Sequence, residues 1–376
     1  MSKYTLRGSP ELDARIDADL ARISDAVRTS RFGHLYRALV MIGGYGRGEG
    51  TPFIVNGRQV PFNDYDLVVV SGPLNRRARA EVQSDLQGWE KKLSAELNLP
   101  VDLCLYPENV LRQAEFSLLN YEMKNGHYVV WGEPDIVSHM PDYPHDRIPL
   151  SEGTRLLMNR GKLLLDIARG VRSRASFTEE ERIRYVKFLF KALLAFGDCT
   201  LLAHSAYDLK YAVKKDRITG YLNADMPDPA FMVEGFRRAV TFKEWGDFQS
   251  LETDAWREEF EHIRRYFVRF FHWYEGRRLA ADVTTREGYL AALARGGGEC
   301  GVDKAILLNL RIFGFHALEF RGALLGLHPR ARLYLSLSRL LGDAFPAREL
   351  RRILSAGSLD RETIEARFYE LQKRSS

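Results

Sequence analysis

Apolar residues recur at steps of three and four through Leu12, Ile16, Leu20, Ile23 and Val27, behind the start signal Ser9-Pro10-Glu11. A serine cap and a proline at the first helical position predict an amphipathic helix packed on a sheet. The pattern then changes. Ala38 to Ile42 is an unbroken apolar run, which predicts a buried strand, and it ends in Gly43-Gly44. A second run, Leu67 to Val70, follows Asn63-Asp64-Tyr65-Asp66. Between them, Thr51 to Phe62 reads as a hairpin turning at Asn56-Gly57, a favoured type I′ pair. Asn75 to Leu97 is charged, with Trp89, Leu93 and Leu97 on one apolar face, and predicts a helix. A strand over Leu99 to Tyr106 comes next, then a helix over Glu108 to Asn125 closed by Asn125-Gly126, and a last strand over His127 to Glu133. Together these elements describe a small mixed sheet with helices on one side.

Pro134, Pro141, Pro144 and Pro149 crowd a stretch without periodicity, which reads as a linker over 138–150. Beyond it strand signals almost vanish. Helical spacing marks Ser151–Val171, Glu179–Tyr207, Ala230–Trp245, Leu251–Leu279, Thr285–Ala294, Asp303–Leu325, Ala331–Leu341, Ala347–Leu354 and Arg361–Lys373. The fold class expected is α+β: a sheet-bearing domain over 1–137, and an all-helical domain over 151–376 in one bundle or in two divided near 296–302, beside Gly296-Gly297-Gly298.

Composition narrows the setting. A chain of 376 residues suits two domains, and 45% hydrophobic with 28% charged residues is ordinary for a globular protein. The net charge of +5 fits an anionic substrate without demanding a nucleic-acid groove. Cys104, Cys199 and Cys300 are widely spaced and form neither a zinc motif nor a disulfide framework. No apolar run approaches the ~18 residues of a membrane helix or a secretory leader, so a cytoplasmic protein that does not enter the membrane is expected.

The chemistry gathers around the first two strands. Glycines after a strand allow a sharp turn that brings backbone N–H groups close to a phosphate. Asp64 and Asp66, at i and i+2 beside a strand, share one face, where a hard cation such as Mg2+ or Mn2+ would relieve their repulsion. Such a turn beside paired acids is the equipment of metal-assisted phosphoryl transfer, with two ions roughly 3.5–4 Å apart. Arg47 is a candidate phosphate clamp, because guanidinium matches phosphate oxygens in pairs. A plainer reading stands beside each: a polar turn feeding a strand, and an Arg47–Glu49 ion pair on a loop.

The run Gly43-Gly44-Tyr45-Gly46-Arg47-Gly48-Glu49, with Asp64-Tyr65-Asp66 and Asp102 on a later strand, resembles the nucleotidyltransferases of the DNA polymerase beta superfamily. The glycine loop looks most like the uridylyltransferase domain of the PII-modifying enzymes. The resemblance covers roughly residues 30 to 135, and the Gly44–Asp64 gap is longer than the family's usual one by the hairpin. It implies that Asp64, Asp66 and Asp102 are catalytic and hold two Mg2+ or Mn2+ ions, and that Gly43, Gly44 and Arg47 bind the triphosphate of an NTP. It also implies a lysine from the helical domain, for which Lys187 and Lys191, one turn apart on one helix face, are the candidates; a Lys191–Asp198 ion pair is the alternative.

Two other motifs are weaker. Arg311…His316 fits the Arg-x4–6-His pattern of some helical ribonucleases, but so do Arg257/His262, Arg265/His272, Arg321/His328 and Arg28/His34. The aromatic stretch Tyr266 to Tyr274 could stack on bases, and at helical spacing it more simply means core. The function expected is transfer of an NMP from an NTP to an acceptor hydroxyl on a protein or a small molecule, with a nucleic-acid end the least supported acceptor. The rival is a non-catalytic nucleotide sensor or toxin–antitoxin-type module on the same fold.

Overall fold

The computed structural model describes residues 2–246, 255–296, 299–314, 317 and 324–375. The chain divides into two compact units, and neither is one continuous segment. The first takes Met1–Pro149, Ser205–Arg217 and Arg237–Ser250; the second takes Leu150–His204, Ile218–Phe236 and Leu251–Ser376. The two late segments return to the first unit because their side chains lodge in its buried polar groups, as described below. The stretch 138–150, expected as a linker, is ordered against the first unit as far as Pro149. It carries two short 3-10 turns, Ile136–His139 and His145–Arg147, and buries Met140, Tyr143 and Ile148. Lys124 fastens it through the Met140 and Pro141 carbonyls at 2.8 and 3.0 Å.

In chain order the first unit contains α1 (Pro10–Thr29), β1 (Tyr36–Met41), α2 (Gly43–Gly46), β2 (Pro52–Val55), β3 (Arg58–Pro61), β4 (Tyr65–Ser71), α3 (Arg76–Leu97), β5 (Val101–Pro107), α4 (Glu108–Leu111), α5 (Leu118–Asn125) and β6 (Tyr128–Gly132). The main sheet runs β5-β4-β1-β6; β1 is antiparallel to β4 and β6, and β4 is parallel to β5. The Ser9 hydroxyl caps α1 by accepting from the Leu12 N–H, and all five apolar positions of its stripe are buried. They meet Leu39 and Met41 of β1, Leu67 and Val69 of β4, and Leu86 and Leu93 of α3 in one core. Each such side chain contributes roughly 1.5–3 kcal/mol by leaving water. Val40, Val68 and Val70, on the opposite face, are buried as well, so the sheet centre is covered on both sides rather than one.

The helix expected over Glu108 to Asn125 is broken. α4 and α5 are separated because Ser117 begins a new helix, its hydroxyl accepting from the Asn120 N–H at 3.1 Å. The Asn120 amide then ties back to the Glu115 carbonyl.

The later helices are α6 (Leu150–Ser173), α7 (Glu179–Ala203), α8 (Tyr211–Arg217), α9 (Pro229–Trp245), α10 (Ala255–Leu279), α11 (Arg286–Gly296), α12 (Val302–Phe313), α13 (Arg330–Leu341), α14 (Ala347–Leu354) and α15 (Arg361–Ser375). Of these, α8 and the last part of α9 belong to the first unit. The fold is therefore α+β, a small mixed sheet with helices followed by an all-helical region. In the second unit the aromatic stretch of α10 is core: Tyr266, Phe267, Phe270, Phe271 and Tyr274 are fully buried, and Phe196 packs on Tyr266 and Phe270 at 4.9 Å. α7 opens with a capping box between Thr178 and Glu181. α12 stops at Gly314, whose φ of +59° no helix continues. Of the helix expected over Asp303–Leu325, residues 315–316 and 318–323 lie outside the described residues, and with them His316 and Arg321. Gly297 and Gly298 of the expected break, and residues 251–254 of the expected Leu251–Leu279 helix, lie outside them too. Among the described residues no helix is long and apolar enough to cross a membrane.

Candidate active site

Strand register assembles the acids. In the antiparallel β1–β4 pair Met41 faces Leu67, and one step further the Ile42 N–H donates to the Asp66 carbonyl at 2.9 Å. In the parallel β4–β5 pair Asp66 stands beside Asp102. Tyr65, between the two acids of Asp-x-Asp, points into the core, so Asp64 and Asp66 emerge together on the other face. Oxygens of Asp64, Asp66 and Asp102 all lie within 4.8 Å of one another. A Mg2+ ion sits ~2.1 Å from each ligand and so bridges oxygens up to ~4.2 Å apart. Rotation of the side chains would bring the three oxygens round one ion. The donors are all carboxylate oxygens, the ligand type that hard divalent cations prefer. The residues present fit such an ion.

The glycine turn is built against this cluster. Gly43 has φ +67°, and a Cβ there would lie 2.4 Å from Oδ2 of Asp66. Only glycine satisfies both the left-handed backbone and the approach of the carboxylate. Gly44 differs: its φ is not left-handed, and a Cβ would meet the ammonium of Lys243 at 3.2 Å, with the Glu49 carbonyl oxygen and Gly50 Cα at ordinary contact distances of 3.4 and 3.5 Å. Lys243, on the part of α9 that belongs to the first unit, thus brings a positive charge to the turn. It had no signal in the sequence beyond being one lysine among many.

Tyr45 was also missed. Its ring is buried against Tyr65. Its hydroxyl donates to the Thr51 carbonyl at 3.1 Å and accepts from the N–H groups of Phe62 at 2.9 Å and Asn63 at 3.4 Å. These are the two ends of the hairpin, where β2 and β3 pair around Asn56 and Gly57, both at positive φ. One phenol therefore clamps the insertion shut and sets Asn63, hence Asp64, over the turn. Burial pushes its pKa up to about 12, so it remains a neutral donor.

Arg47, expected at the triphosphate, is held by acids of its own unit. It is buried, and its Nη1 donates to Glu122 at 2.8 Å, with Glu49 3.8 Å from its Nε. Gly126 leaves room for its stem, since a Cβ there would lie 2.5 Å from Cγ of Arg47. A guanidinium held between two acids braces the loop. The Arg47–Glu49 pairing considered from the sequence is present only as the longer of its two contacts.

Segment 205–217 completes this brace. The Tyr207 hydroxyl donates to Glu122, the Tyr211 N–H to Glu49 at 3.0 Å, and Lys210 to the Arg47 carbonyl at 2.6 Å. Lys214 is fully buried, its ammonium 4.0 Å from the Tyr207 ring centre and 4.3 Å from that of Tyr211. Burial works against ionisation of Glu122, but Arg47, Lys214, the Tyr207 hydroxyl and Lys243 outweigh it and hold its pKa below the ordinary value. Lys187 and Lys191 lie on α7, in the second unit, both half-buried.

No family model and no curated protein matches the chain. Among solved structures, the chain is similar to the spectinomycin adenyltransferase of Enterococcus faecialis, determined with ATP and spectinomycin. The identity is 11%, over 66% of this chain and 98% of that one, with a TM-score of 0.38. A likeness that loose carries no argument about activity.

Proposed function

We propose that this protein is a metal-dependent nucleotidyltransferase that moves an NMP from an NTP to an acceptor hydroxyl on a protein or a small molecule, releasing pyrophosphate. The observation that carries it is the convergence of Asp64, Asp66 and Asp102 within 4.8 Å, directly against the left-handed turn at Gly43. Divalent ions bound there would neutralise the triphosphate and polarise the reacting oxygens. Asp64 and Asp66 hold the ions, and Asp102 either completes the site on the acceptor side or takes the hydroxyl proton. The N–H groups of Gly43 and Gly44 open a helical turn, so they have no intrahelical carbonyl to bond and are available to phosphate oxygens. Lys243 supplies the counter-charge beside Gly44, and Arg47 keeps the loop in shape. Catalysis of this kind is mainly alignment and charge neutralisation. The presence of Asp102 in the cluster favours an enzyme over a nucleotide sensor, for which two acids would be enough.

The test is pyrophosphate release from each of the four NTPs with Mg2+ or Mn2+, in the presence of a cell lysate as acceptor pool. The chain is compared with its Asp64→Ala/Asp66→Ala variant. Release that disappears in the variant supports transfer. Tight NTP binding without release would move the assignment to the sensor.

A further inference from the structure

A cavity of about 1090 Å3 opens in the second unit among α6, α7 and α15. Arg169, Arg172, Arg174, Arg184 and Arg361 reach its wall, against the acids Asp166, Glu362 and Glu365. The balance is positive, and the pairing is more uneven than the balance. Glu365, 1% exposed, accepts from Arg172 at 2.6 and 2.8 Å and from Arg361 at 2.9 Å, and lies 3.6 Å from Arg169. One carboxylate cannot neutralise three guanidinia. Burial lowers the Arg172 pKa, and Arg361 and Arg169 pull the same way against the attraction of Glu365. Asp166 is engaged by the Tyr369 hydroxyl, and Arg174 by Glu181.

Fastening α15 to α6 explains the bonds of Glu365. It does not explain Arg184, which is exposed on the wall and pairs with no carboxylate among the described residues. Its guanidinium lies 5.5 Å from the ring centre of the buried Tyr185, and the half-buried Phe188 gives the wall an aromatic side. Guanidinium forks match phosphate oxygens in pairs, and aromatic faces receive planar rings. The volume is of the order that small-molecule sites have.

We propose that this cavity binds a small ring-bearing phosphate ester, its phosphate among Arg169, Arg172 and Arg184 and its ring against Phe188. The site is independent of the transferase reading, because all its residues lie in the second unit and none is a metal ligand. The ligand relieves the crowding of like charge that Glu365 leaves uncompensated.

The test is calorimetric titration of the full chain in EDTA with phenyl phosphate, the four nucleoside monophosphates and inorganic phosphate. One of the esters is expected to bind one-to-one without metal, more tightly than inorganic phosphate, and equally well in the Asp64→Ala/Asp66→Ala variant. Arg184→Ala should weaken it about tenfold, as loss of one charge-assisted contact does, with Arg184→Lys in between. The Arg184 side chain is exposed, so melting curves should not change; Arg169→Ala provides a second probe of the same wall. Absence of metal-independent binding by every ester overturns the proposal. So does binding indifferent to both arginine substitutions, binding lost with the acids of the first unit, or capture of single-stranded oligonucleotides but none of the esters.

Discussion

Gly43→Ala and Gly44→Ala are adjacent, chemically identical substitutions with opposite expected outcomes. At Gly43 the backbone is left-handed, which costs an alanine roughly 1–2 kcal/mol. The new Cβ would also lie 2.4 Å from Oδ2 of Asp66. Ordinary carbon–oxygen contact is nearer ~3.4 Å, so the carboxylate must retreat by about 1 Å, and displacements of that size cost on the order of 100-fold in rate. At Gly44 the tightest neighbour is the end of the flexible Lys243 side chain, 3.2 Å away, which gives way easily, while the Glu49 carbonyl oxygen and Gly50 Cα stay at ordinary contact, 3.4 and 3.5 Å. Gly43→Ala should therefore lower pyrophosphate release by about 100-fold, with a melting point lower by roughly 2–8 °C. Gly44→Ala should stay within a few-fold of the parent, with an unchanged melting point. Rates and melting curves on the same preparations decide it. A Gly43→Ala chain with parental activity, or a Gly44→Ala chain that is the worse of the two, would refute the geometry assigned to the turn.

Tyr45→Phe leaves the Thr51 carbonyl and the Phe62 N–H without their partner, so stability should fall by about 1–3 kcal/mol in denaturant unfolding; no change would mean the hairpin ends are held elsewhere. Glu122→Gln removes a carboxylate whose folded pKa lies below its ordinary 4.5. Its contribution is present above that value and lost as pH falls through the lower folded one, so the stability gap between parent and variant should be widest near neutrality and close in acid. A gap that does not change with pH would show that Glu122 is not ionised in the fold. Lys243→Met should raise the KM for NTP about tenfold through loss of a charge-assisted contact; an unchanged KM removes Lys243 from the phosphate site. Asp102→Asn should weaken Mn2+ binding measured directly; intact Mn2+ affinity would take Asp102 out of the ligand set.

Local pattern determined much of this protein. The stripe Leu12 to Val27, the runs Ala38–Ile42 and Leu67–Val70, and the hairpin at Asn56-Gly57 could be read directly, because amphipathic period and turn chemistry are properties of neighbours in sequence. The Asp64/Asp66 pair was legible for the same reason: alternation along a strand puts i and i+2 on one face. What brings Asp102 beside Asp66 is the register of a parallel pair, which the sequence does not carry, and there the family resemblance supplied the expectation. The fate of Arg47 was decided only in three dimensions, by Glu122 and by a Gly126 that clears its path. Tyr207 ends an expected helix, and Lys210, Tyr211 and Lys214 follow it in a stretch expected to belong to the second domain, yet they pack in the first unit. A segment's periodicity reports which face it buries, not which core receives it. The same holds for Lys243: a lysine becomes a candidate ligand only when folding sets it 3.2 Å from where a side chain on Gly44 would be.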